Sequence, residues 1–159
     1  MEKIVLELPV HAFNIDYNGH VNNAVYHQWM EIGVTRFFET IGLPLTALRQ
    51  QGVAPVLAET RITYRQPIYY GESVRLEMWL SKLSGIYCMM EFRFFKPDQA
   101  IAAIGQQKGV FINRATARPA RLSTDQHHQF ARFLHPEPPA PSSSPALAAP
   151  VALTHHDPA

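Results

Sequence analysis

Between Ile15 and Tyr26 the sequence runs Ile-Asp-Tyr-Asn-Gly-His-Val-Asn-Asn-Ala-Val-Tyr. One carboxylate (Asp16), one imidazole (His20) and three carboxamides (Asn18, Asn22, Asn23) are gathered around Gly19. A carboxylate can take a proton from water as a general base, or attack an electrophilic carbon itself. The residues that follow have a helical pattern, and the first amides of a helix have no partner inside it. They carry roughly half a positive charge between them, so an oxyanion can be held there without a cationic side chain. Backbone N–H groups of Asn22, Asn23 or Ala24 are the candidate donors. Each residue also has a plainer reading: Asp16 as the cap of a turn, Asn23 as an ordinary helix cap, His20 as a ring satisfied by backbone atoms.

Such a cluster has to be held by its neighbours. Ile4, Leu6 and Leu8 alternate with other residues, which predicts a strand over 2–11. From Ala24 to Ile41 the pattern is helical, with Tyr26, Met30, Gly33, Phe37 and Ile41 forming one stripe. Asn23 is the expected N-cap, and Gly42 is placed to end the helix. Gly33 weakens the helix by about 1 kcal/mol, so a close approach of another backbone is expected there. A short helical piece, 45–51, comes next. The chain then reads as four strands, 53–65, 72–83, 86–96 and 100–113, with a tight turn at Ser84-Gly85. Val56, Ala58, Ile62 and Tyr64 are expected on one face of the first of these. The small residues Ala100, Ala102, Ala103, Gly105 and Gly109 in the last strand would let a helix sit closely over the sheet. A short helix is expected over 123–133. One long helix over an antiparallel sheet is an α+β domain, and its open edges predict at least a dimer.

Composition narrows the function. With 159 residues, 47% hydrophobic and 17% charged, one domain with a single core is expected. Fourteen basic residues against 13 acidic ones leave a net charge of +1, with no footprint for nucleic acid or an anionic membrane. No apolar run is long enough to span a membrane, and the N-terminus lacks a signal peptide's apolar core, so the expected compartment is the cytoplasm. A single cysteine, Cys88, excludes an internal disulfide and a cysteine zinc cluster. Seven of the 13 prolines fall in 136–158. The expected organisation is a domain over 1–134 and a Pro/Ser/Ala-rich disordered tail over 135–159. His155 and His156 lie in that tail, and the expectation for them is solvation.

The pattern Asp16-x-x-Gly19-His20-Val21-Asn22-Asn23-x-x-Tyr26, followed by Tyr64-Arg65-x-Pro67, resembles the hotdog-fold acyl thioesterases of the 4-hydroxybenzoyl-CoA and long-chain acyl-CoA thioesterase group. The resemblance runs from about residue 3 to about residue 133. It implies a hotdog fold, an antiparallel sheet of about five strands wrapped on one long helix. It also implies hydrolysis of an acyl-CoA or acyl-carrier-protein thioester without metal or other cofactor. Sheets would join edge to edge in a homodimer with sites at the interface, and dimers could pair into a homotetramer. The resemblance casts Asp16 as base or nucleophile, and the amides near Asn23 as the oxyanion hole. Asp16-x-Asn18-x-His20 is similar to the trio of plant-type acyl-carrier-protein thioesterases, which adds Asn18 and His20 to the catalytic set. Gly19, Tyr26, Trp29, Arg65, Ser84 and Gly85 are the candidate substrate contacts. Met30 and Phe37 could line an acyl tunnel or simply be core, and Arg61 and Lys82 could meet nucleotide phosphates or simply be solvated.

Other readings use the same residues. A hotdog hydratase or dehydratase looks like Asp-x-Asn-Pro-x-His; here the histidine comes one residue early and no proline follows Asn18. A non-catalytic acyl-binding protein on the same fold would not need Asp16 and His20 together before a capped helix. Glu59 is expected as a solvated or interface charge rather than a catalytic one. A metal site from Asp16, His20 and His27 is a weak alternative with only two histidines.

Overall fold

The computed structural model describes residues 2–135, so the expected tail, from its second residue onward, lies outside the described residues. The elements run β1 (Ile4–Pro9), α1 (Asn23–Thr40), α2 (Leu45–Gln50), β2 (Val53–Tyr64), β3 (Ser73–Leu83), β4 (Tyr87–Phe95), β5 (Ile101–Asn113) and α3 (Thr124–Ala131). A 3-10 turn at Ala12–Asn14 precedes the polar stretch. The five strands form one antiparallel sheet in the order β1-β3-β4-β5-β2. This is the α+β architecture expected from the alternation and the single long helix, and the hotdog arrangement that the resemblance implies.

Apolar alternation sets the buried face. Val74, Leu76, Met78 and Leu80 of β3 and Phe92 and Phe94 of β4 are fully buried beneath α1. The whole α1 stripe, Tyr26, Met30, Gly33, Phe37 and Ile41, is buried against them. At Gly33 the close neighbours are side chains rather than the backbone expected: an added Cβ would lie 3.2 Å from Leu76 Cδ2 and 3.5 Å from Phe92 Cε1. The small-residue strand does admit the helix. Met30 lies over Gly105, where a Cβ would be 3.0 Å from Met30 Cε. Gly42, at φ +73°, ends the helix in the left-handed region that favours glycine. Phe130 of α3 closes one end of the core, edge-on to Phe37 at 5.2 Å and to Phe111 at 5.3 Å.

Two local expectations change. The N-cap is Asn22, not Asn23: its side chain accepts from the Ala24 amide at 2.8 Å. In β2 the register shifts between Leu57 and Glu59, a bulge that interrupts the alternation. Val56 therefore pairs with Val110 while Ile62 pairs with Gly105, so the two lie on opposite faces of the sheet. Glu59 pairs with Lys108 on the outer face, away from α1, and sits 3.5 Å from Arg61. That outer face is polar and charged. Glu91 accepts from Ser81 and Gln106 there, both at 2.7 Å, and Lys3 and Arg93 lie over the Trp79 ring.

Candidate active site

The polar stretch folds into a small closed loop in front of α1. Ile15 and Val21 form an antiparallel bridge. The Asp16 amide donates to the His20 carbonyl, and the Gly19 amide to the Asp16 carbonyl, both at 3.0 Å. Gly19 turns the chain at φ +80°, a conformation a residue with a Cβ rarely adopts. The loop is anchored twice: the Val21 amide donates to the Ile68 carbonyl at 2.8 Å, and the Asn22 amide to the Asn14 carbonyl at 2.8 Å. Asn14 is itself buried, its Oδ1 accepting from the His11 amide at 2.8 Å. It sits just upstream of the motif, and only its carboxamide type, suited to local backbone bonds, hinted at this role.

These bonds decide among the three candidate amides. The Asn22 N–H is taken by Asn14, and the Ala24 N–H by the Asn22 cap. Next along, Val25 N–H donates to the Asn22 carbonyl at 2.9 Å. Asn23 N–H is the candidate left without a partner among the described residues. It is the first residue of α1, where the helix dipole adds its positive end.

Asp16 is half-buried and does hold the turn, as the plainer reading had it: Oδ1 accepts from the Asn18 amide at 2.8 Å. Its second oxygen accepts no hydrogen bond among the described residues. His20 Nδ1 lies 3.3 Å from the Val21 carbonyl, a bond in which Nδ1 donates; in the neutral ring Nε2 is then the acceptor. Tyr26 is buried edge-on against Trp29, Tyr64 and Phe94. Burial, with the charges of Tyr64 and Glu72 adding to it, pushes its phenol well above the ordinary range, so it stays a neutral hydroxyl. Tyr64 donates to the Asn23 carbonyl at 3.3 Å, which ties the Tyr-Arg-x-Pro segment to the helix start.

A groove of about 710 Å³ runs between this loop and the segment after β2. Asn18, His20, Asn23, Tyr26 and Arg65 line it, together with Tyr17, Gln66, Pro67 and Tyr69. Tyr17, Gln66 and Tyr69 were not singled out from sequence; exposed polar and aromatic loop residues carry no periodic signal. Asp16 and Gly19 shape the loop without lining the groove of a single chain. Trp29 is core, packed on Tyr26 and Phe94. Ser84 and Gly85 form the β3–β4 turn, where Ser84 Oγ accepts from the Tyr87 amide at 3.1 Å; the strand register puts this turn at the opposite end of the sheet from Arg65. Among the described residues, no three His, Cys, Asp or Glu side chains converge as a metal site needs, and no helix is long and apolar enough to cross a membrane.

A family model, the thioesterase-like superfamily, matches residues 10–130, which takes in the loop, α1 and the whole sheet beyond β1. The chain belongs to this superfamily. Among relatives, YneP of Bacillus subtilis (strain 168), named as a candidate acyl-CoA thioesterase, is 22% identical over 116 residues, covering 73% of this chain and 84% of YneP. The chloroplastic acyl-acyl carrier protein thioesterase ATL3 of Arabidopsis thaliana is 26% identical over 130 residues, covering 81% of this chain and 68% of ATL3. Among solved structures, SAV2348 of Staphylococcus aureus in complex with CoA shares the fold at a TM-score of 0.79 and 19% identity, over 99% of this chain and 96% of that one. The DHNA-CoA thioesterase of the same organism does so at 0.76 and 21%, over 83% and 91%.

Proposed function

We propose that this superfamily member hydrolyses acyl-CoA thioesters to the free acid and thiol. One observation carries the reading: Asn23, whose N–H has no partner among the described residues, lines the groove beside a loop whose carboxylate keeps one oxygen free. A thioester oxygen directed at Asn23 N–H gains a donor where its negative charge develops, which is where such a donor helps most. Asp16 then removes the proton from an attacking water. Alternatively it attacks the thioester carbon to give a mixed anhydride, expelling the thiolate, and water opens the anhydride in a second step. Nε2 of His20 can hold the water, and Arg65 on the groove wall suits a phosphate of the CoA arm. The relatives YneP and ATL3 support the thioester class, one named for CoA and the other for the carrier protein.

The proposal includes a homodimer. β2 is an edge strand whose outer side carries no strand partner among the described residues, and Val56 and Leu57 are 41% and 47% exposed on it. Antiparallel pairing of two such edges would cover both residues and complete each sheet. The outer sheet face, with its charges over Trp79 and its buried Glu91 network, is not the apolar surface a face-to-face tetramer would bury, so the proposal stops at the dimer.

Thiol release from a panel of short, long and aromatic acyl-CoAs, alongside acyl-carrier-protein thioesters, tests the activity. Hydrolysis of at least one is expected, with Asp16→Asn reducing kcat by about 100-fold or more while the thermal midpoint holds. Wild-type protein inert towards the whole panel, or an Asp16→Asn protein with full activity, would refute it. A single turnover in ¹⁸O-water separates the routes, since only the anhydride route can label the Asp16 carboxylate.

A further inference from the structure

The chemistry above leaves one buried polar side chain of the groove unused. Tyr26 is only 3% exposed, its ring edge-on to Tyr64 at 5.0 Å, Phe94 at 5.2 Å and Trp29 at 5.4 Å. A ring packed against three others keeps one orientation, and its hydroxyl keeps one place. That hydroxyl makes no hydrogen bond among the described residues. Nor is it sealed from solvent, as the unpartnered Thr60 Oγ1 and Gln107 Oε1 are. Neither bonded nor enclosed, it opens on the groove that Tyr26 lines. A buried phenol nearly always finds a partner for its O–H, and here the partner has to come from what the groove holds.

The helix decides where the hydroxyl lies. Side chains of an α-helix lean towards its N-terminus, so each covers the turn before its own Cα. Tyr26 follows Asn23 by three positions, about 4.5 Å of rise, which a tyrosine side chain is long enough to span. Its hydroxyl is thus carried back to the first turn, where Asn23 N–H has no partner among the described residues. Tyr64 fixes the same corner: its ring meets that of Tyr26, and its own hydroxyl donates to the Asn23 carbonyl at 3.3 Å. That donor is committed to backbone, whereas the Tyr26 donor is not.

Its surroundings say what it would meet. Burial, then the charges of Tyr64 and Glu72, hold the phenol neutral, so it has a proton to offer in a hydrogen bond. Glu72 does not need that proton: one of its oxygens accepts from the Tyr69 amide at 2.7 Å, and the other lies 3.3 Å from Lys96 Nζ. A thioester presents two acceptors at the helix start, a weak one at sulfur and a strong one at the carbonyl oxygen. The oxygen has room for two hydrogen bonds, and Asn23 N–H supplies one. It is also the atom on which negative charge grows when the carbonyl carbon is attacked.

We propose that Tyr26 is a further catalytic residue, whose hydroxyl gives the thioester oxygen a second hydrogen bond beside that of Asn23 N–H. The inference rests on the thioesterase reading above. The phenol keeps its proton throughout, and no bond to it forms or breaks. Tyr26→Phe tests this by removing the hydroxyl and keeping the ring. With no protein partner orphaned, the thermal midpoint should hold. On the best thioester of the panel, kcat is expected to fall by about 10², with KM within about threefold of wild type. Near-normal kcat in the folded variant overturns the proposal. So does a loss of kcat that comes with a collapsed thermal midpoint, since the hydroxyl then serves the fold. Wild-type protein that hydrolyses nothing refutes the thioesterase reading separately, and binding then judges the hydroxyl. Two thioethers serve as probes in calorimetry: S-acetonyl-CoA, which offers a ketone oxygen, and S-propyl-CoA, which does not. Wild type is expected to favour the ketone by about tenfold, and Tyr26→Phe to lose most of that advantage. An equal preference in the two proteins, or no binding of either probe, overturns the assignment.

Discussion

Asn23 and Asn22 show how much a single residue's surroundings decide. Both are good caps by type, and adjacent in sequence they are interchangeable on paper. The Asn14 carbonyl takes the Asn22 amide, the Asn22 side chain takes the Ala24 amide, and Asn23 N–H is what remains. This makes a direct test available. Proline is well tolerated at the first position of a helix because its missing N–H is unbonded there anyway. The preceding residue, Asn22, already has the extended backbone that proline requires before it, at φ −61° and ψ 140°. Asn23→Pro should therefore keep α1 and the thermal midpoint while removing the proposed oxyanion donor, lowering kcat by about 10²–10³ with little change in KM. Near-normal turnover in a folded Asn23→Pro protein would show that another group holds the charge.

At the level of elements, the helix stripe was legible because the same residues that make it periodic are the ones it buries. The expected N-cap was one residue out, since cap type alone cannot separate neighbouring asparagines. The β2 alternation failed at the bulge, where one extra residue moves Val56 to the face opposite Ile62; a strand of mixed apolar and polar residues does not announce such a shift. The close seating of α1 rests on Gly105 as much as on Gly33. Gly105→Val would press against Met30 and Phe92 Cβ, the latter 3.3 Å from the added Cβ, and should destabilise the fold by about 1–3 kcal/mol in urea unfolding. Met30→Ala combined with it should cost less than the sum of the two single changes; strict additivity would mean the two sites do not share space.

The whole molecule depends on an edge and a core. Leu57→Glu places a charge on the exposed edge of β2 and, facing its symmetry mate in the proposed dimer, is expected to yield monomers in sedimentation equilibrium, with hydrolysis lost in parallel. Monomeric wild-type protein with full activity would remove the dimer from the account. The core sets the response to alkali. Burial pushes the Cys88 thiol up to about 12 from its ordinary 9.0, and burial likewise raises Tyr26. Both keep their protons in the folded state. The unfolded chain releases them first, so stability is intact below about pH 9 and falls as pH rises from there towards 12. Urea midpoints at pH 8 and pH 10.5 should show the fall, and Cys88→Ala should make it shallower.

The sequence alone determined the layers and singled out the polar cluster from Asp16 to Asn23 that the proposal uses, because hydrophobic period and such a cluster are local properties of the chain. Only the tertiary structure decided which amide is free, which of the named residues share a groove and which are core or a distant turn. It also brought Tyr26 and Tyr64 together at the helix start. Those outcomes depend on which hydrogen-bonding groups find partners far along the chain, and no spacing within a single segment records that.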